Sequence, residues 1–235
     1  TGCSLEKDDL DGATIYVTNY HIKYLVQTLY KNHGNIESIY PNDADTTTYE
    51  LTEKQIKTYS KGDVFVYNGL TDEKELAKSF LNNNKNILIM DVSYGLSIKN
   101  STEELWLSPN NYLMLAKNIK DNFDESLKNK YTIKEVDDNY EAFAEKMSLM
   151  DADIRSIGQT ATNNNKNTLV VESKAYEYLS NYGFNVICLD NEAYSSDEGL
   201  KVIKNNFKTG KYLALISNPD NDNKSITDLV NNYKA

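Results

Sequence analysis

The sequence predicts an α/β protein with two lobes of parallel sheet flanked by helices and one long rigid helix between the lobes. Two observations predict this fold class. Short apolar runs alternate with segments of helical periodicity, as βαβ units require. A long apolar stripe at helical spacing separates the fourth run from the fifth. The seven runs, each expected to be a strand, cover residues 13–18, 36–40, 64–67, 87–91, 168–172, 186–190 and 212–217.

Polar residues mark several helix starts. Thr52 and Gln55 have the spacing of a capping box, in which each side chain bonds the backbone N–H of the other residue. Ser108 precedes Pro109, and proline suits the first helical position because its missing N–H would have no partner there. Ser195 and Ser225 each stand three residues before an acidic residue, so we expect them to cap two helices of the second lobe.

The strongest periodic signal lies in the middle of the chain. Apolar residues recur there in steps of three and four, which places them on one face of a helix. We expect this helix over residues 131–161, with its stripe packed on both lobes and a ligand cleft between the carboxyl ends of their strands. The first lobe then covers residues 13–130 and the second covers 165–235, after a tether at 1–12. The stripe consists of Ile133, Val136, Tyr140, Phe143, Met147, Met150, Ile154 and Ile157.

Composition argues against several classes of function. The 25 basic and 35 acidic residues give a net charge of −10, whereas a nucleic-acid surface needs clustered Lys and Arg. No run of about 18 apolar residues occurs, so we expect no membrane-spanning helix. The glycine loops of nucleotide-binding proteins, the nucleophile elbow, Cys-x-x-Cys and His-Glu-x-x-His are all missing from the sequence. We therefore expect no nucleic-acid partner and no enzyme.

The two cysteines differ in their sequence context. Cys188 lies in an apolar run, and we expect it to be buried as a small hydrophobic residue. Cys3 follows Gly2, and this Gly-Cys pair resembles the end of a bacterial lipobox. We expect Cys3 to carry the lipid of an extracytoplasmic protein that is anchored to the bacterial cell membrane. The alternative is that the Gly-Cys pair occurs there by chance.

Several segments carry motifs that agree in order along the chain. Residues 41–52 keep Asp45, Tyr49, Glu50 and Thr52 of a loop that runs Pro-x-Gly-x-Asp-Pro-His-x-Tyr-Glu-Pro-Thr. Further motifs are Asn-Gly-Leu at 68–70, Ser-Tyr-Gly-Leu at 93–96, Leu-Trp-Leu-Ser-Pro at 105–109 and the strand-to-helix turn at 170–179. Over roughly residues 13–230 the chain therefore resembles the zinc- and manganese-receptor lipoproteins that serve ABC importers. The resemblance implies a monomeric receptor that delivers its ligand to an ABC permease.

The resemblance also implies that the usual metal ligands are replaced. The first histidine of the family falls on Thr47, the second on Glu104, and the third ligand, a His or Glu, on Ser173 beside Glu172. The fourth ligand usually lies on a strand beyond the last segment of this sequence. Zinc prefers imidazole, thiolate or mixed sets, and hydroxyl oxygens bring no charge to a dication. The resemblance therefore leaves zinc and manganese open as cargo, with a degenerate metal site.

Two other residue types could rebuild a binding site. His21 follows the first strand and could supply an imidazole; the alternative is a helix-start residue with a hydrogen-bonded ring. Tyrosines at strand ends and in adjoining loops could line a cleft for an organic ligand; the alternative is packing in the core or at its rim. These tyrosines are Tyr20, Tyr49, Tyr67, Tyr94 and Tyr176.

Two functions are consistent with these patterns. The first is an extracytoplasmic solute-binding lipoprotein of a metal-type ABC importer, with Thr47, Glu104 and Ser173 in place of the usual ligands. The second is a surface adhesin or accessory binding module that keeps the fold but not transport. Sequence alone does not name the ligand.

Overall fold

The structure is a computed structural model that describes residues 10–42, 44–45, 48–218, 220, 222–233 and 235. The chain forms two compact units. The first unit contains the residues up to Ser97 together with Asn110–Met147, and the second contains Ile98–Pro109 together with Ser148–Ala235. The segment at 98–109 belongs to the second unit.

Strands and helices alternate through both units, as the sequence predicts. The strands are β1 (Ala13–Val17), β2 (Gly34–Ser38), β3 (Val64–Tyr67), β4 (Leu88–Asp91), β5 (Thr168–Val171), β6 (Asn185–Cys188) and β7 (Ala214–Ile216). The α-helices are α1 (Tyr20–Tyr30), α2 (Glu53–Tyr59), α3 (Glu73–Asn83), α4 (Glu104–Leu107), α5 (Pro109–Ser126), α6 (Lys130–Asn163), α7 (Glu192–Ser195), α8 (Asp197–Lys208) and α9 (Lys224–Tyr233). A 3₁₀ helix covers Lys174–Tyr182.

The first unit contains a parallel sheet with the strand order β2-β1-β3-β4. Ile15 of β1 is in register with Ile36 on one side and with Val64 on the other. Ile15, Val64 and Phe65 are fully buried, because the central strands of an α/β sheet are covered on both faces. This sheet confirms the α/β fold class for the first half of the chain.

The second unit contains a smaller parallel sheet with the strand order β6-β5-β7. Its central strand, β5, buries Val170 and Val171 completely. Cys188 ends β6 with 4% of its surface exposed, so the prediction of a buried cysteine is confirmed. The 3₁₀ helix begins at the Ser173 cap and ends at Gly183, whose φ of +87° favours glycine.

Helix α6 has 34 residues and contains the predicted apolar stripe. Val136 and Phe143 are buried as expected, but Met150 is 48% exposed and Ile157 is 57% exposed. The expectation that the whole stripe is packed is therefore wrong. An α-helix drifts by about 20° per heptad relative to a seven-residue repeat, so residues that continue the repeat move off the buried face.

The buried face of the second half of α6 keeps Ile154 of the stripe and continues through Gly158 and Ala161. Ile154 packs against a hydrophobic cluster of the second unit, and Ala161 belongs to that cluster. A Cβ atom at Gly158 would lie 1.9 Å from the carbonyl oxygen of Tyr182, so the helix approaches this backbone closely. The contact requires a residue with no side chain, which a search for apolar periodicity does not detect.

Candidate functional site

The carboxyl edge of the first sheet is built around Asp91, the last residue of β4. Its carboxylate oxygen Oδ1 accepts the backbone N–H of Gly69 at 2.9 Å and that of Ser93 at 2.9 Å. The Ser93 hydroxyl donates to the same oxygen at 2.7 Å. A Cβ atom at residue 69 would lie 2.1 Å from Asp91 Oδ2, so glycine permits this close approach. Asp91 thus joins the loops that follow β3 and β4 through hydrogen bonds.

A second carboxyl group, that of Glu73, lies buried at the same edge. Glu73 begins α3, is 6% exposed, and accepts the backbone N–H of Asn68 at 2.7 Å. Burial raises the pKa of Glu73 to about 7, and the charge of Asp91 acts in the same direction. Burial raises the pKa of Tyr40 to about 12, with a further contribution from Glu73. The edge therefore holds an acidic group that titrates near neutral pH.

His21 and Tyr49 are the candidates in the first unit that the structure describes. His21 lies in the first turn of α1, where burial lowers the pKa of its imidazole and so favours the neutral ring. Its backbone carbonyl accepts the Tyr112 hydroxyl at 2.8 Å. The Tyr49 ring packs edge-on against Tyr40 with 5.5 Å between centroids, at the rim of a hydrophobic cluster. Tyr49 thus contributes to packing, the alternative considered for it.

Glu104 is the candidate at the start of α4, in the second unit. It is 3% exposed, and its carboxylate accepts the backbone N–H of Lys99 at 2.5 Å and that of Asn100 at 3.4 Å. These bonds hold the segment that precedes α4 and partly neutralise the desolvation cost of the carboxylate. Glu104 therefore has a structural role in this chain.

Glu172 and Ser173 follow β5 at the carboxyl edge of the second sheet. Glu172 is 8% exposed and accepts the backbone N–H of Asn218, which follows β7, at 2.8 Å. The Ser173 hydroxyl accepts the backbone N–H of Ala175 at 3.2 Å and caps the 3₁₀ helix. Asp190, after β6, accepts the backbone N–H of Lys174 at 2.9 Å. Each of these three side chains thus accepts a backbone N–H group.

The tyrosines at strand ends differ in exposure. Tyr20 is 54% exposed and Tyr94 is 80% exposed, whereas Tyr67 and Tyr176 are half-buried. Asn118, from α5, donates to the carbonyl oxygens of Val92 and Tyr94, so the turn that carries Tyr94 is held in place. Tyr20 and Tyr94 are thus accessible to a ligand at the carboxyl edge of the first sheet.

The candidates divide between the units. His21 and Tyr49 belong to the first unit, and Glu104, Glu172 and Ser173 belong to the second, where α4 packs on the 3₁₀ helix. Thr47 and Cys3 lie outside the described residues. In the part of the chain that the structure describes, no three His, Cys, Asp or Glu residues are grouped so that they could hold a metal ion. The described residues therefore do not fit the imidazole-rich set that zinc prefers.

Sequence reasoning missed Glu73 and Asp91. Both had a detectable signal, because an acid that ends a buried strand or begins the next helix lies at the carboxyl edge of a parallel sheet. Their role was not predictable, since it depends on which backbone amides the loops turn toward them.

Two parallel α/β units, with loops at the carboxyl edge of each sheet, define the architecture of a solute-binding receptor. The family model described as "Zinc-uptake complex component A periplasmic" matches residues 15–235. The chain belongs to this family, whose members are periplasmic substrate-binding components that work with ABC permeases. The receptor family that the sequence motifs resemble is thereby confirmed.

Solved structures show the same fold at low sequence identity. The metal-dependent lipoprotein YcdH from Bacillus subtilis has a TM-score of 0.75 and 18% identity, over 95% of this chain and 85% of that one. AdcAII from Streptococcus pneumoniae has a TM-score of 0.71 and 20% identity, over 94% and 85%. A manganese-bound variant of a periplasmic metal-binding protein from Candidatus Liberibacter asiaticus has a TM-score of 0.68 and 18% identity, over 95% and 86%. No curated protein sequence matches the chain significantly.

None of the helices in the described residues is both long enough and apolar enough to cross a bilayer.

Proposed function

We propose that the chain is the substrate-binding lipoprotein of an ABC importer, with a binding site that no longer has the zinc ligands of its family. The observation that carries this proposal is the family match over residues 15–235, together with the bonding of its acidic candidates. Glu104 and Glu172 are buried and accept backbone N–H groups. In this proposal Cys3 carries the lipid anchor and the permease is the membrane partner.

The cargo follows from the chemistry of the substituted positions. Thr47 and Ser173 offer neutral oxygens, and Glu104 is bound to the amides of Lys99 and Asn100. To bind zinc, Glu104 would have to leave these amides in a buried site, at a cost of about 1.5–3 kcal/mol. We therefore propose that bare zinc or manganese binds weakly and that the cargo makes other contacts.

A metal titration tests this proposal. Protein purified without chelator is analysed for metal and then titrated with Zn²⁺ and Mn²⁺ in a calorimeter. We expect much less than one metal per chain and no heat of tight binding. One tightly held zinc per chain would overturn the proposal about the cargo.

A gain-of-function variant provides the matched control. The double substitution Glu104→His and Ser173→His places imidazole at two substituted positions of the second unit, where α4 packs on the 3₁₀ helix, and should increase the affinity for zinc. Two histidines at exposed positions of α2 and α8 (Lys54 and Lys201) should not. If the double variant binds zinc no better than this control, the two positions do not belong to one site.

Cellular assays test the anchor and the role in transport. Cys3→Ser, expressed behind a lipoprotein signal peptide, should move the protein from the membrane fraction to the soluble one and abolish palmitate labelling. Loss of solute uptake on deletion of the gene would support an importer. Unchanged uptake together with lost surface binding would favour the adhesin alternative.

A further inference from the structure

We propose that Glu73 is a proton-linked positioning residue, which holds the loop between β3 and α3 in place when its carboxyl group is neutral and loosens it when ionised. This loop comprises residues 68–72. It lies at the carboxyl edge of the first sheet, the edge at which parallel α/β sheets bind ligands. The inference concerns the first unit alone and does not depend on the identity of the cargo.

The loop is held by a series of side-chain acceptors. The N–H of Asn68 donates to Glu73 Oε2 at 2.7 Å, and the next N–H, of Gly69, donates to Asp91 Oδ1 at 2.9 Å. The third, of Leu70, donates to the Asn68 side chain at 3.0 Å. The Thr71 hydroxyl closes the turn by donating to the Asn68 carbonyl oxygen at 3.0 Å. Glu73 is the buried acid in this series.

The surroundings of Glu73 disfavour its charge. Thr18 after β1, Asn68 after β3, Asp91 of β4 and Tyr40 after β2 are the polar groups that interact with it. Asp91 repels a carboxylate, and ionised Tyr40 would do the same. No basic residue in the described part of the chain forms an ion pair with Glu73. The hydrogen bond from the Asn68 N–H and the nearby Thr18 hydroxyl favour the charge but do not outweigh burial.

The sign of the pH effect follows from linkage. Burial raises the pKa of Glu73 to about 7 in the folded protein, above the ordinary value of 4.5. The folded state therefore binds the proton more tightly than the unfolded state does. Its stabilisation is complete below pH 4.5 and declines as pH rises toward about 7. Above that pH the buried carboxylate strains the loop that it anchors.

Amide hydrogen exchange of the loop tests this inference. Exchange of the amides at 68–70 is measured at pH 6 and pH 8.5 and normalised to the intrinsic rates. In the natural chain the opening equilibrium should rise by about tenfold between these pH values. In Glu73→Gln, which keeps an oxygen acceptor without a charge, it should change by less than about twofold.

Glu75→Gln is the matched control. Glu75 lies in the same turn of α3 but is exposed and pairs with Lys78, so this variant should behave as the natural chain does. Equal pH dependence in the natural chain and in Glu73→Gln would overturn the inference, as would no pH dependence in the natural chain.

A direct titration keeps the inference testable if Glu73→Gln fails to fold. Carbon-13 NMR of the glutamate carboxyl groups in the natural chain should show one resonance that titrates near pH 7, with scalar couplings that assign it to Glu73. Titration of the Glu73 carboxyl near its ordinary value would contradict the inference.

Discussion

The carboxyl edges of the two sheets use the same chemistry to fix different parts of the chain. In the first unit, Glu73 accepts an N–H five residues away, and Asp91 gathers the loops after β3 and β4. In the second, Glu172 accepts an N–H 46 residues away, so it ties the end of β5 to the end of β7. Acidic residues near strand ends can therefore stabilise this fold by accepting backbone N–H groups. The sequence separation between acceptor and donor is short for Glu73 and long for Glu172.

The largest loss of stability is expected at Glu172, whose hydrogen bond joins the segments that follow β5 and β7. Glu172→Ala removes the acceptor of the Asn218 N–H at a buried site and should lower the free energy of unfolding by about 2–3 kcal/mol. Glu172→Gln keeps an acceptor and should cost less than about 1 kcal/mol. Urea unfolding of the three proteins measures both values.

The control for this prediction is Glu198→Ala. Glu198 is exposed in the first turn of α8, and its loss should cost less than about 0.5 kcal/mol. If Glu172→Ala lowered the free energy of unfolding no more than Glu198→Ala does, Glu172 would not stabilise the carboxyl edge of the second sheet.

A smaller difference separates the aspartates that end β4 and follow β6. Asp91 accepts three hydrogen bonds from Gly69 and Ser93, whereas Asp190 is exposed and accepts one from Lys174. Asp91→Ala should therefore cost about 2 kcal/mol and Asp190→Ala about 0.5 kcal/mol in thermal or urea unfolding. A larger loss for Asp190→Ala than for Asp91→Ala would show that neither burial nor the number of hydrogen bonds determines how much these aspartates stabilise the fold.

The smallest effect is expected at Ile157 of α6. Ile157 is 57% exposed, so Ile157→Ser should change the free energy of unfolding by less than about 0.5 kcal/mol. Ile154 packs against the hydrophobic cluster, so Ile154→Ser should cost about 2 kcal/mol. Similar losses of unfolding free energy in the two variants would indicate that Ile157 is packed, as the sequence predicts.

Much of the fold was predictable because its signals are local. Each of the seven apolar runs overlaps a strand, although β2 begins two residues before its run and β6 begins one residue before its run. The Thr52–Gln55 capping box forms as predicted. The predicted caps at Ser195 and Ser225 are wrong. Ser196 caps α8 instead, and the Asn223 side chain accepts the N–H groups at the start of α9. Neighbouring polar residues compete for a cap, and the sequence does not rank them.

The site was less predictable because its interactions are not local. The sequence identifies Glu104 and Glu172 as acids at candidate ligand positions but does not indicate that each is turned toward a backbone amide. For Glu172 the partner, Asn218, is 46 residues away. The pKa of Glu73 depends on Thr18, Tyr40 and Asp91, which lie at the ends of β1, β2 and β4. These residues come together only in the folded chain, so the sequence does not predict the shift.

The central claim is that Glu104 and Glu172 are anchors and not metal ligands. The most direct test is a calorimetric zinc titration of the natural chain beside the Glu104→Gln/Glu172→Gln double variant, which keeps an oxygen acceptor at both positions. Two indistinguishable titrations, neither with tight stoichiometric binding, are the result that we predict. Tight zinc binding by the natural chain that disappears in the double variant would contradict the claim.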